Sequence, residues 1–271
     1  MELAKVGTSK AFPRVQQRFH LFRDLLCSEG IRMDIGEHKL GQLVFYSCHL
    51  HTHGVVEICR YQLAETIADI ITEILQVEYI RRILRCHYTG FDRVEEGNIC
   101  AEAQRLAYNP RRRTQILFAL LEYLQHHAYV HVDGFVRFRL RDYWEELVDC
   151  VDLAVGNFQE QKEHEEFVKL LKFFVEVQEP RIDTVQVMRR NLGGYSLVDQ
   201  HFRPVDARLL HGLSLEPGSG GVSGEDLLLS ALVTLAPVSI ILHLPPDPLL
   251  GTIDEVFRQR IRYCPGCPLC R

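Results

Sequence analysis

The chain has 271 residues, 46% of them hydrophobic and 25% charged, with a formal net charge of −5. That supplies apolar material for one large core or two smaller ones without a disulfide framework, and it excludes a global attraction to nucleic acid or anionic membrane, leaving only a local basic patch for such binding. The nine cysteines are odd in number, six of them (Cys27, Cys48, Cys59, Cys86, Cys100 and Cys150) lack paired spacing, and the N-terminus lacks the apolar core of a secretory signal, so reduced thiols in a cytoplasmic protein are expected, mostly as small buried hydrophobes.

In chain order, residues 1–60 read as a mixed α/β N-terminal region. Phe12, Val15, Phe19, Phe22, Leu25 and Leu26 form a helical stripe that Gly30 closes, and LGQLVFYSC at 40–48 reads as a strand. Residues 61–180 read as mainly helical, with helices predicted over 64–84, 94–107 and 111–127. Within this region AYVHVDGFVRF (128–138) alternates about Asp133-Gly134, the pattern of a β-hairpin. From Leu140 to Val177 apolar residues recur at helical spacing, first through Tyr143, Trp144, Leu147, Val151 and Ala154, then through Phe167, Leu170, Leu171 and Phe174. The charged EQKEHEE between them breaks the phase, which predicts two helices or one that changes its buried face.

Residues 181–271 read as a small α/β unit. A β-hairpin is predicted from 185–188 and 195–198 about Asn191-Leu192-Gly193-Gly194, followed by helix 225–235, strand 238–243, helix 251–260 and strand 261–264. Alternation of strand and helix calls for at least one parallel pair. The run LLLSALVTLAPVSIILHL (227–244) approaches the length of a membrane span, but Pro237 in its middle and the β-branched second half predict a buried helix turning into a buried strand, with no membrane span. The fold class is accordingly α+β, with a helix-rich middle and a small C-terminal α/β unit of hairpin, helix, strand, helix and strand.

Phe138-Arg139-Leu140 with Tyr143, the acidic helix after it, FVKLLKFFVEVQEP and Arg181-Ile182-Asp183 form a distinctive series, which DLLLSALVTLAPVSIILHL and the closing FRQRIRYCPGC continue. In these stretches the chain resembles the YtxC-like proteins of endospore-forming bacteria. The resemblance covers about 130–271. It implies an association with sporulation and a cytoplasmic location, and it brings no established activity, substrate, cofactor or catalytic residue.

Four constellations carry chemistry. The terminal RYCPGCPLCR places Cys264, Cys267 and Cys270 at two-residue intervals; such spacing brings thiolates onto one ion, and zinc is the first candidate, with His243 or a cysteine of another chain as fourth ligand. CHLHTH (48–53) puts His49, His51 and His53 on one strand face, where a solvated strand end is the favoured reading over a metal site. Residues 80–141 hold eleven arginines against six acids, whereas 142–180 hold eleven acids against three lysines, so the two blocks are expected to neutralise each other. Arg111, Arg112 and Arg113 nevertheless open a helix, where the macrodipole disfavours cations; in a winged-helix arrangement they would meet phosphates, with Arg137 or Arg139 in the wing. The loop EPGSGGVSG (216–224) lacks the lysine and spacing of a phosphate cradle and reads as a linker, with Ser223 and Asp226 capping the next helix.

No nucleophile elbow, HExxH or diagnostic carboxylate pair appears. The sequence therefore points to a non-enzymatic interaction or regulatory protein whose partner is a protein or a second copy. A nucleic-acid-binding regulator using 80–141, or a metal-dependent enzyme, stands as the alternative.

Overall fold

Four strands, β1 (Glu2–Thr8), β2 (Met33–Leu40), β3 (Leu43–Leu50) and β4 (Tyr129–His131), form the first sheet in the order β2-β3-β1-β4, with β1 antiparallel to β3 and parallel to β4. The computed structural model describes residues 1–9, 13–52, 54–190, 194–206, 223–244 and 250–267. They fall into two units, Met1–Gln159 and Glu160–Arg271. The α+β class read from the sequence is the class observed.

In the first unit α1 (Pro13–Ser28) buries Val15, Phe19, Phe22 and Leu26 of the predicted stripe, whereas Leu25 is exposed and Phe12 lies outside the described residues. The predicted strand appears as β3, and its hairpin partner β2 escaped prediction because MDIGEHKL shows no apolar alternation: as the outer strand of the sheet it buries only Met33. Helices α2 (Val56–Asp69) and α3 (Gln76–His87) join through a π-helical turn, Ile70–Leu75. There Thr72 Oγ1 donates to Ala68 O (2.9 Å), supporting the backbone where the helical register widens. Ile67, Ala68, Ile70, Ile71, Ile74 and Leu75 are all buried, so this rod runs through the core, which draws on residues from Leu3 to Val155.

Helix α4 (Arg93–Leu106) starts on a full capping box, Asp92 with Glu95, and α5 (Pro110–His126) on Asn109, whose side chain accepts from Arg111 N (3.1 Å). After β4, α6 (Val132–Arg139) overturns the hairpin expected at 128–138. Residues 129–131 pair with β1 from the far end of the chain, and Asp133-Gly134 becomes the first helical turn, with Gly134 N donating to His131 Nδ1 (3.1 Å) and Ser9 N to Asp133 Oδ2 (2.8 Å). Val132, Phe135 and Val136 are buried at helical spacing.

The stretch after it is one helix, α7 (Arg141–Val177), with a changed buried face. Tyr143, Leu147, Val151, Ala154 and Val155 belong to the first core, whereas Val168 and Val175 belong to the core of the second unit. The second face matches the predicted one only at Leu171, which packs against the second core beside Val168 and Val175, while Phe167, Leu170 and Phe174 lie exposed.

In the second unit β5 (Thr184–Arg189) and β6 (Tyr195–Val198) form the predicted antiparallel hairpin. Helix α8 (Gly224–Leu235) leads to β7 (Ser239–His243), and α9 (Gly251–Phe257) to β8 (Ile261–Tyr263). The order β6-β5-β7-β8 holds two parallel pairs, β5 with β7 and β7 with β8. Ser223 caps α8, accepting from Asp226 N (3.1 Å). At the other end Ala236 takes a left-handed conformation (φ +43°) and Pro237 follows, so the apolar run turns from helix to strand. Among the described residues no helix is long and apolar enough to cross a membrane. The linker at 216–222 lies outside the described residues.

Candidate metal centre

Parallel pairing sets up the cluster. In β7, Ile240 and Leu242 are buried on one face, which leaves His243 on the other. The last registered pair between β7 and β8 is Leu242 with Tyr263, so His243 and Cys264 follow side by side, and Cys264 N donates to Leu242 O (2.9 Å). Cys264-Pro265-Gly266-Cys267 then folds back at Gly266, whose φ of +112° a side chain rarely adopts. The result brings one ligand atom each of His243, Cys264 and Cys267 within 4.8 Å of one another, and all three residues are half-buried. Cys267 Sγ and His243 Nδ1 are 3.3 Å apart. Tetrahedral zinc with bonds of about 2.0–2.3 Å spaces its ligands by roughly 3.5 Å, so the pair fits such an ion.

The imidazole is held in the tautomer a metal needs. Gln186, a buried polar residue of β5, donates from Nε2 to Asp199 O (3.1 Å), which turns Oε1 towards His243 Nε2 at 2.8 Å. His243 Nε2 therefore carries the proton, and the Nδ1 lone pair faces Cys267. Sequence reading singled out His243 but passed over Gln186, because a glutamine alternating with Val185 and Val187 reads as the solvent face of a strand. We predict that Gln186→Leu weakens zinc binding about 10–100-fold in competition with a chromophoric chelator; a change under about threefold would show that Gln186 does not hold the ring.

Cys270 and His53 lie outside the described residues. His51 Nε2 sits 2.7 Å from Asp34 Oδ2 on the neighbouring strand, and His49 is exposed. Of the scattered cysteines, Cys48, Cys59 and Cys100 are buried, and burial raises each thiol, Cys48 to about 12. Cys150 is half-buried, and Cys27 and Cys86 are the exposed exceptions among these six.

The arginine cluster separates into three situations. Arg112 pairs with Glu146 and lies over the Tyr143 ring (5.7 Å), with 18% of its side chain exposed. Arg113 Nε donates to Asp69 Oδ1 at 2.6 Å, and Arg111 is exposed. Glu146, Asp69 and Glu65 thus supply the negative charge that a cationic helix start requires. Arg137 and Arg139 sit on α6, because no wing forms there. Arg112→Ala is expected to destabilise the protein by about 1–3 kcal/mol, since Glu146 keeps its charge in a partly buried place, whereas Arg111→Ala changes urea stability by under ~0.5 kcal/mol. Equal effects of the two substitutions would refute the difference in role.

The sequence profile of the YtxC-like family matches residues 61–262, about three-quarters of the chain. The chain belongs to the YtxC-like family. The match reaches well upstream of the 130–271 stretch, and it includes Gln186 and His243 but ends before Cys264 and Cys267. A relative in Bacillus subtilis (strain 168), described as "Uncharacterized protein YtxC", is 24% identical over 169 residues, 60% of this chain and 59% of that protein. This YtxC-like chain therefore spans under two-thirds of that relative's length. No solved structure matches it.

Proposed function

We propose that this YtxC-like protein is a non-enzymatic, cytoplasmic interaction or regulatory protein associated with sporulation, and that zinc clips its C-terminal unit through His243, Cys264, Cys267 and Cys270. The observation that carries this reading is the convergence of His243 Nδ1, Cys264 and Cys267 at the end of two parallel strands. A Cys₃His set fills all four positions of a tetrahedral ion, which leaves none for water or substrate and favours a structural ion over a catalytic one. Family membership supports the sporulation setting, and the partner is a protein or a second copy of the chain.

The test is a pull-down from sporulating cells of an endospore former, with untagged-metal analysis of the same wild-type and Cys267→Ser proteins. Bound zinc in the wild type, its loss in the variant and a partner captured only by the zinc-loaded form are expected. A metal-free wild type, or the same partner captured equally by both, would overturn the reading.

A further inference from the structure

A pocket of about 250 Å³ in the first unit, far in sequence from the metal ligands, is built from one face of α3 and the ends of β1 and β4. Its position follows from topology. Strands β1 and β4 run parallel, with Gly7 opposite His131, and Ser9 and Asp133 stand just past their C-terminal ends. Crevices at the C-terminal ends of parallel strands are recurrent ligand sites, and the N-terminus of α6 opens at the same place. The volume lies just below the roughly 300–1,000 Å³ of pockets for drug-sized ligands, which suits only a small molecule.

The lining is chemically uneven. Arg81, Arg82 and Arg85 all reach the pocket. Arg81 is bonded to Glu78 (2.6 Å) and Arg85 to Glu96 (2.8 Å), but Arg82 makes no ion pair among the described residues. Tyr79 forms part of the wall, is 4% exposed, and its hydroxyl faces the Asp133 carboxylate without a well-formed hydrogen bond among the described residues. A buried hydroxyl left without a well-formed bond is costly and is satisfied when a ligand oxygen arrives. Burial first, then the neighbouring Asp133 carboxylate and Tyr143, hold the phenol well above its usual range against the opposing pull of Arg82, so it is a donor at neutral pH. Asp133 accepts from Ser9 N at one carboxylate oxygen and faces the Tyr79 hydroxyl, so it is the acceptor of the pocket wall. The π-helical turn ends at Leu75, which also lines the pocket, and such turns concentrate at ligand sites.

We propose that this pocket binds a small sugar phosphate, its phosphate on Arg82 and Arg85 with Tyr79 donating, and a sugar hydroxyl on Asp133. Guanidinium groups match phosphate oxygens in pairs, and carboxylates beside a phosphate site take sugar hydroxyls, as in dinucleotide folds. The acidic groups at the pocket disfavour a polyanion and leave room for a single phosphoryl group.

Calorimetric titration of the full chain with ribose 5-phosphate, ribose and inorganic phosphate tests the assignment. Ribose 5-phosphate is expected to bind saturably with a Kd below ~1 mM, and ribose and inorganic phosphate at least tenfold more weakly. Arg82→Ala, at an exposed residue, is expected to keep its melting temperature and lose at least tenfold in affinity, Tyr79→Phe to lose about threefold, and Arg111→Ala, outside the pocket, to bind as the wild type does. Absence of saturable binding, equal losses in the Arg82 and Arg111 variants, or ribose binding as tightly as its phosphate would overturn the proposal.

Discussion

Cys267→Ser is expected to reduce bound zinc from about one ion per chain to a trace and to lower the stability of the C-terminal unit by about 4 kcal/mol at free zinc a thousandfold above the wild-type Kd. Serine offers a hydroxyl that stays protonated where a thiol ionises on the metal, so a strong anionic ligand is lost. The effect stops short of unfolding, because this unit has an apolar core of its own, with Val185, Val187, Leu232, Ile240, Leu242 and Phe257 all buried. In small zinc fingers, by contrast, metal binding supplies the whole folding free energy, about 10–16 kcal/mol. Because the bound thiols have released their protons, the zinc-derived stability is present at neutral pH and is lost as pH falls. Thermal melting with and without a strong chelator measures it. Untagged protein free of zinc and indifferent to chelator would remove the metal centre.

Phe19→Ala is expected to destabilise the first unit by about 3–5 kcal/mol, a large share of the roughly 5–15 kcal/mol that holds a typical domain. Phe19 is 1% exposed and stacks on Tyr46, with ring centroids 4.3 Å apart and planes at 19°, so its removal opens a cavity and breaks an aromatic pair between helix and sheet. Leu25→Ala, six residues on in the same helix and 47% exposed, is expected to cost under about 0.5 kcal/mol. Urea unfolding separates the two. Zinc content is expected to stay unchanged in both variants, since the first unit contributes none of the clustered ligands; a similar small loss for both would show that Phe19 is not central to the core.

Local chemistry was readable wherever one stretch of chain settled its own conformation. Asn109-Pro110 opens α5 because the side chain caps an amide and proline has none to leave unsatisfied. Pro237 ends α8 for the reason it argued against a membrane span. The second hairpin and the parallel strands followed from alternation and element order. Legibility failed where a distant partner decided: Asp133-Gly134 is a strong turn signal, yet β1 captured residues 129–131 and the signal became a helix start. Strand β2 carries no alternation to read, and the buried face of the second half of α7 lies on Val168 and Val175 beside larger aromatics that point out.

By itself the sequence determined the α+β class, the helical middle, the capping residues and a thiol-rich terminus, with His243 one of two candidate partners for it. Only tertiary structure decided that His243 and Cys264 become neighbours across a parallel strand pair, and that Gln186 fixes which ring nitrogen faces the cysteines. It also paired Arg112 and Arg113 with acids and left Arg82 at a pocket, although all three arginines look alike in sequence. The physical reason is common to these cases. Propensity, capping and proline act within a few residues, whereas ligand convergence and charge pairing depend on which strands register and which helix faces meet, and that is set by the packing of segments far apart in the chain.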